Sequence, residues 1–164
     1  MTSLSLADAN GGAQVTVVLP AYNHARYVVE AIDSVRAQTF THWELIVIDD
    51  GSTDDTLAVL QAYVAQCDDP RIRLLSQSNA GSHATLNRGL EMARTPYLAI
   101  LNSDDRYAPN RLQRLVEIAA AAEGDVFITT GVRLIDENGE PLPQEHWWNL
   151  MYKDILEHWT TVCS

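Results

Sequence analysis

Two acidic turns, each at the end of a short apolar run, hold the residues best suited to chemistry. Leu45-Ile46-Val47-Ile48 leads into Asp49-Asp50-Gly51-Ser52-Thr53-Asp54-Asp55. Tyr97-Leu98-Ala99-Ile100-Leu101 leads into Asn102-Ser103-Asp104-Asp105. Apolar runs of this length bounded by turn residues read as buried parallel strands. Open α/β sheets bind ligands beyond the carboxyl ends of their strands. Both carboxylate clusters therefore fall where such a fold keeps its ligand. Repelling charges gather there only if a cation or hydrogen-bond donors hold them.

Oxygen ligands of this kind suit Mg²⁺ or Mn²⁺ rather than zinc. Mg²⁺ commonly takes one or two carboxylates and completes its shell from substrate phosphates. Carboxylates alone repel a diphosphate, and a divalent ion between them reverses that sign. Displacement of a nucleoside diphosphate, its departing charge stabilised by a metal, is one chemistry that fits. Three other phosphate-handling arrangements do not. The chain has no Gly-x-x-x-x-Gly-Lys-Ser/Thr loop. Pro20-Ala21-Tyr22-Asn23 stands where a dinucleotide fold places its glycines. A phospho-acceptor domain needs a lysine near a later strand end, and the only lysine is Lys153.

The elements that must position these residues follow an alternating pattern. Strands are expected at Val15–Leu19 (ended by Pro20), Glu44–Ile48, Ile72–Leu75, Tyr97–Leu101 and Val126–Thr130. The first helix is expected over about Ala25–Gln38, with Asn23 as its cap and Val28, Ala31, Ile32 and Val35 on its apolar face. Ser52 and Asp55 have capping-box spacing before a second helix that buries Leu57, Leu60 and Val64. A third helix, after the Gly81 loop, turns Leu86, Leu90 and Ala93 inward and stops at Thr95-Pro96. A fourth starts near Pro109, buries Leu112, Leu115, Val116 and Ala119, and ends at Gly124. The result is an α/β fold, a mostly parallel Rossmann-like sheet with helices on both faces. Beyond Gly131 a strand at Val132–Ile135, a tight turn at Asp136–Gly139 and a helix at Asn149–Trp159 are expected.

The chain has 164 residues, 46% of them apolar, and a net charge of -11. That is enough for one domain with a real core. It lacks the basic surface of a nucleic-acid binder or of a protein held to anionic lipid. Cys67 and Cys163 show no metal spacing, and a reducing compartment fits them. No apolar run is long enough for a transmembrane segment.

Several segments together resemble family 2 glycosyltransferases of the GT-A fold. They are Val17-Val18-Leu19-Pro20-Ala21-Tyr22-Asn23, Ser34–Phe40, Glu44–Asp54, Asn79-Ala80-Gly81, Asn87-Arg88-Gly89 and Leu101–Asp105, in family order and spacing. The resemblance covers about residues 15–135. It implies an inverting transferase that moves a sugar from a nucleotide-diphosphate donor, with UDP the commonest base, to a saccharide or lipid-linked acceptor. It also implies a cytoplasmic enzyme of polysaccharide biosynthesis, peripheral at the inner membrane face. Pro20 and Tyr22 are expected along the nucleotide, Tyr22 against the base. Asp50 is expected to hydrogen-bond the base, and Arg88 to approach the phosphates. Asp104 and Asp105 are expected at the ribose and the metal, Mg²⁺ or Mn²⁺.

Two departures stand out. The family motif often reads Asp-x-Asp-Asp, and here Asn102 takes the first place, which removes a charge and is expected to reduce metal affinity. The family's general base lies well beyond the metal motif, and this chain ends at Ser164. The expected organisation is a flexible leader over 1–12, a nucleotide-sugar-binding core over 13–135, and the start of a truncated acceptor-side region over 136–164. A non-catalytic module that binds a nucleotide or a partner is the alternative. Asp54 and Asp55 read as helix N-terminal charges, His83 as a solvated loop residue, and Trp147 and Trp148 as structural rather than sugar-stacking.

Overall fold

The computed structural model describes residues 12–143. All but the last residue of the leader expected over 1–12, the helix expected at Asn149–Trp159, and Trp147 and Trp148 lie outside the described residues. Two compact units divide the chain after Gly124. In the first, β1 (Val15–Ala21), β2 (Trp43–Asp49), β3 (Ile72–Ser76) and β4 (Tyr97–Ile100) alternate with four helices. The helices are α1 (Val28–Arg36), α2 (Thr56–Cys67), α3 (Ser82–Met92) and α4 (Arg111–Ala121). All ladders are parallel, in the order β3-β2-β1-β4.

Strand alternation sorts the side chains between two faces. Val15, Val17, Leu19 and Ala21 of β1 and Leu45 and Val47 of β2 face a core completed by α1, Leu60 of α2, and Leu112 and Val116 of α4. The apolar stripe of α1 is the expected one: Val28, Ala31, Ile32 and Val35 are all fully buried. On the other face α3 lies over β1 and β2. It comes so close that a Cβ on Gly89 would stand 2.3 Å from Val18 Cγ1. Leu98 and Ile100 of β4 lie on this same face, beyond α3, and are about half exposed.

Several expected boundaries shift, each for a local reason. Pro20 lies within β1 rather than ending it. The pairing with β4 stops at Val18, so a missing N–H two residues later costs no ladder bond. The α1 helix begins at Val28, and Asn23 does not cap it. Ser52 and Asp55 form no capping box, because the Ser52 hydroxyl accepts from Asn23 N–H instead. In α2 the inner face includes Val59 and Tyr63, while Leu57 is only partly buried. In α3 it is Thr85 and Gly89, not Leu86, Leu90 and Ala93, that are buried, since the close approach to β1 selects the small side of the helix.

The second unit holds the larger correction. Residues 126–130 form no strand, and Phe127 is 91% exposed. The run has strand-forming residues but no ladder partner, and β propensity expresses itself only through partners. The strand expected at Val132–Ile135 reduces to one antiparallel bridge between Ile135 and Pro141. The turn at Asp136–Gly139 is present: Gly139 N–H donates to the Asp136 carbonyl, with Gly139 at φ +84°.

Candidate functional site

Chain order reverses beside β1: β2 and β3 extend to one side and β4 lies on the other. Such a switch point opens a crevice at the carboxyl ends of the strands. Tyr22 follows β1 and Asn102–Asp105 follows β4, so these segments flank the opening. Asp49 ends β2 beside them and Asp50 follows it. Tyr22 is 44% exposed, and Asp104 and Asp105 are exposed, so all three are accessible to a ligand.

Hydrogen bonds join the four loops at this end of the sheet. Asn23 sits in the left-handed region at φ +55°, a conformation asparagine tolerates better than most residues. Its side-chain carbonyl accepts from Thr53 N–H at 2.8 Å and Asp54 N–H at 3.3 Å, and its own N–H donates to Ser52 Oγ at 3.0 Å. These bonds tie the loop after β1 to the loop after β2. Asp54 works as expected at a helix start: it accepts from Thr56 N–H at 2.9 Å. It also accepts from Ala25 N–H at 3.3 Å, which adds a second tie. The Thr56 hydroxyl is the largest of the causes that hold its carboxyl below the ordinary value.

Asp50 is 3% exposed, and its charge is met from within the chain. Oδ1 accepts from Gln77 Nε2 at 2.7 Å and Ala80 N–H at 2.9 Å, and Oδ2 from Gly81 N–H at 2.9 Å. Ala80 and Gly81 lead directly into α3, so the carboxylate sits at the positive end of that helix. Burial alone pushes the Asp50 carboxyl upward. The bonds from Gln77, Ala80, Thr85 and Gly81 outweigh it, and the net shift is downward. Asp49 points to the opposite face and accepts from Ser76 Oγ at 3.3 Å.

Arg88 donates from Nη1 to Gln77 Oε1 at 2.7 Å, and Gln77 passes its own amide hydrogens to Asp50 and Thr85. The expected phosphate-facing arginine is thus linked through Gln77 to the Asp50 loop. Gln77 was not singled out by the sequence. Its signal is faint, a polar residue directly after a strand, and nothing local reveals that it bridges two charged groups.

Gly51 allows this loop to close. Its φ is +69°, and a Cβ there would lie 2.6 Å from Asn79 N and 3.2 Å from the Gln77 carbonyl oxygen. Gly51→Ala therefore combines left-handed strain with a backbone clash, and is expected to cost about 2–4 kcal/mol. Urea unfolding of wild type and variant checks this, and equal midpoints would exclude so close an approach.

The acidic motif is pinned at both ends. Leu101 N–H donates to the Val18 carbonyl at 3.1 Å. Tyr107 N–H donates to Ser34 Oγ at 3.0 Å, and its hydroxyl to the Ile100 carbonyl at 2.6 Å. Burial raises the Tyr107 phenol above its ordinary value, so it stays a donor. Gln38 is 5% exposed and holds the start of α4, donating to the Ala108 carbonyl and accepting from Leu112 N–H. Within the motif, Asn102 Nδ2 donates to Asp105 Oδ2 at 2.9 Å. An ionised aspartate at 102 has no hydrogen to give, so the departure from the acidic pattern exchanges a charge for a tether.

Asp104 and Asp105 offer exposed carboxylate oxygens, the donor type that hard divalent cations take, and among the described residues no three His, Cys, Asp or Glu side chains gather to hold a metal ion by themselves. No helix among the described residues is long and apolar enough to cross a membrane.

Comparison with known proteins agrees with this architecture. The family model described as glycosyl transferase family 2 matches residues 16–162. TuaG of Bacillus subtilis, a glycosyltransferase assigned to teichuronic acid biosynthesis, is 34% identical over 156 residues, covering 91% of this chain and 59% of TuaG. Chondroitin synthase of Escherichia coli is 32% identical over 142 residues, covering 87% of this chain and 20% of the synthase. The chain thus spans less than two thirds of the length of either relative. Among solved structures, S. aureus TarS 1–349 in complex with UDP superimposes with a TM-score of 0.58 at 25% identity, over 65% of this chain and 32% of TarS 1–349. The mannosyltransferase PcManGT of Pyrobaculum calidifontis, in complex with GDP-Man and Mn²⁺, gives 0.61 at 25% identity, over 73% of this chain and 36% of PcManGT. With its parallel sheet, its switch-point crevice and its two acidic turns, the chain belongs to glycosyltransferase family 2, with the GT-A fold.

Proposed function

We propose that this chain forms the donor-nucleotide portion of an inverting glycosyltransferase that takes its sugar from a nucleoside diphosphate. The observation that carries the reading is the tied set of four loops around the β1/β4 switch point, with Tyr22, Asp104 and Asp105 exposed on it. Tyr22 offers a ring face to the base, and Pro20 shapes the wall beside it. Asp50 acts mainly through the Gln77–Gly81 loop that it holds, with a remaining lone pair for a donor on the base. Arg88, anchored by Gln77, keeps further N–H donors for a phosphate. Asp104 and Asp105 would hold Mg²⁺ or Mn²⁺ and approach the ribose. A divalent ion bound there supplies positive charge to the departing diphosphate.

The bond from the anomeric carbon to the diphosphate oxygen breaks as the acceptor oxygen attacks from the opposite face, so configuration inverts. The acceptor proton passes to a carboxylate base. We place that base, and the saccharide or lipid-linked acceptor site, in the part of the relatives' length that this chain does not span. The TarS complexes with UDP and UDP-GlcNAc favour uridine as the first base to test. The TuaG likeness supports a place in polysaccharide biosynthesis.

Calorimetric titration of the chain with UDP, GDP and dTDP, each with and without Mn²⁺, tests the reading. Saturable, manganese-strengthened binding of one of them is the expected result. No heat from any nucleotide in either condition overturns it and leaves the non-catalytic module.

A further inference from the structure

We infer that His24 and Ser103 form a positioning pair that sets the acidic motif relative to the nucleotide-binding loop. This rests on the donor-site reading above. Ser103 lies between Asn102 and Asp104, yet it is 2% exposed while both neighbours face solvent. Its hydroxyl meets His24 Nδ1 at 2.7 Å. This bond ties the centre of the 102–105 segment to the loop after β1.

His24 is itself firmly held. Its N–H donates to Thr56 Oγ1 at 2.8 Å, at the start of α2. Its carbonyl accepts from Tyr27 and Val28 N–H groups, both at 3.0 Å, where α1 begins. Its ring meets Tyr27 edge-on, with 6.3 Å between centroids. The imidazole is therefore a rigid arm from the frame of β1, α1 and α2. It stands two residues after Tyr22, so one short segment both presents the ring for the base and fixes the loop for the metal.

The Asn102–Asp105 tether is internal to the motif and cannot set its place in the crevice. The anchors at Leu101 and Tyr107 fix the ends and leave the carboxylate-bearing residues between them. Ligand constellations must be held to about half an ångström to work. The hydrogen bond at Ser103 supplies that constraint midway. His24 acts through Ser103 rather than on the nucleotide or the cation.

The test compares the full 164-residue chain with Ser103→Ala, His24→Phe and His24→Asn, by calorimetry with UDP alone and with UDP plus MnCl₂. Asparagine can return a hydrogen-bonding group near the position of Nδ1, and phenylalanine keeps the bulk without it. Loss of one hydrogen bond is expected to weaken the manganese-dependent affinity about three- to tenfold in Ser103→Ala and His24→Phe. The metal-free UDP affinity should hold in both, and His24→Asn should recover most of the loss. Thermal unfolding without metal serves as the folding control. If His24→Phe does not fold, Ser103→Ala carries the comparison, because it removes a single oxygen.

Equal weakening with and without Mn²⁺, or no weakening in Ser103→Ala, overturns the positioning role while the donor site stands. Absence of binding in the wild-type chain overturns the donor-site reading first, and this inference with it.

Discussion

Asp50→Ala is expected to destabilise the first unit by about 3–5 kcal/mol, because three hydrogen bonds to one buried carboxylate are lost together. Gln77 Nε2 and the N–H groups of Ala80 and Gly81 all point at this one carboxylate. A fall in Tm of roughly 10–20 °C should accompany the loss. The effect also has a pH signature. The folded-state value of Asp50 is lowered, so its contribution is complete above the unfolded carboxylate value of about 4. It is lost as pH falls through that value toward the lower folded one. Urea unfolding at pH 7 and at pH 3 should therefore show a wide gap between wild type and Asp50→Ala that narrows in acid. A gap of constant width would mean that the carboxylate charge is not what holds the loop.

Asp105→Ala carries the second large effect, on binding rather than folding. Asp105 is exposed and receives one tether, from Asn102 Nδ2, so its removal leaves little buried polarity unpaired. Stability should change by no more than about 0.5 kcal/mol. Residues that merely orient metal ligands cost 10–100-fold in metal affinity when removed, so loss of a direct ligand is expected to lower manganese-dependent UDP affinity by about 100-fold or more. Titration of UDP into wild type and variant, each in Mn²⁺ and in EDTA, reads this directly. If the affinity in Mn²⁺ is unchanged, Asp105 is not a ligand and the cation site must be sought at Asp104.

Much of this arrangement was legible because periodicity and turn chemistry are local. The stripe of α1, the four strands of the sheet and the position of both acidic turns at strand ends follow from neighbours within a few residues. What escaped depends on partners far along the chain. Asn23 was expected to serve its own helix and instead serves Thr53 and Asp54, some thirty residues on. Gln77 looked like plain loop and bridges Asp50 to Arg88. The inner face of α3 was misjudged because Gly89, with no side chain to count as apolar, is what permits the approach to Val18. Residues 126–130 have strand-like composition, and composition alone says nothing of whether a neighbouring ladder is there to receive them.

The separation between buried ties and exposed groups has an evolutionary consequence. Asp50, Ser103 and Gln38 are buried and tied to partners, while Tyr22, Asp104 and Asp105 are exposed. If these exposed groups meet the base and the cation as proposed, substitution among them changes donor or cation preference at little cost to folding, because surface changes rarely exceed about 0.5 kcal/mol. Substitution among the ties erodes the scaffold itself. On the donor-site reading, a lineage built on this frame can change its donor at the rim without losing the fold, whereas changes at the ties lose the fold first. Specificity is then the quickly changing trait and loop geometry the slow one.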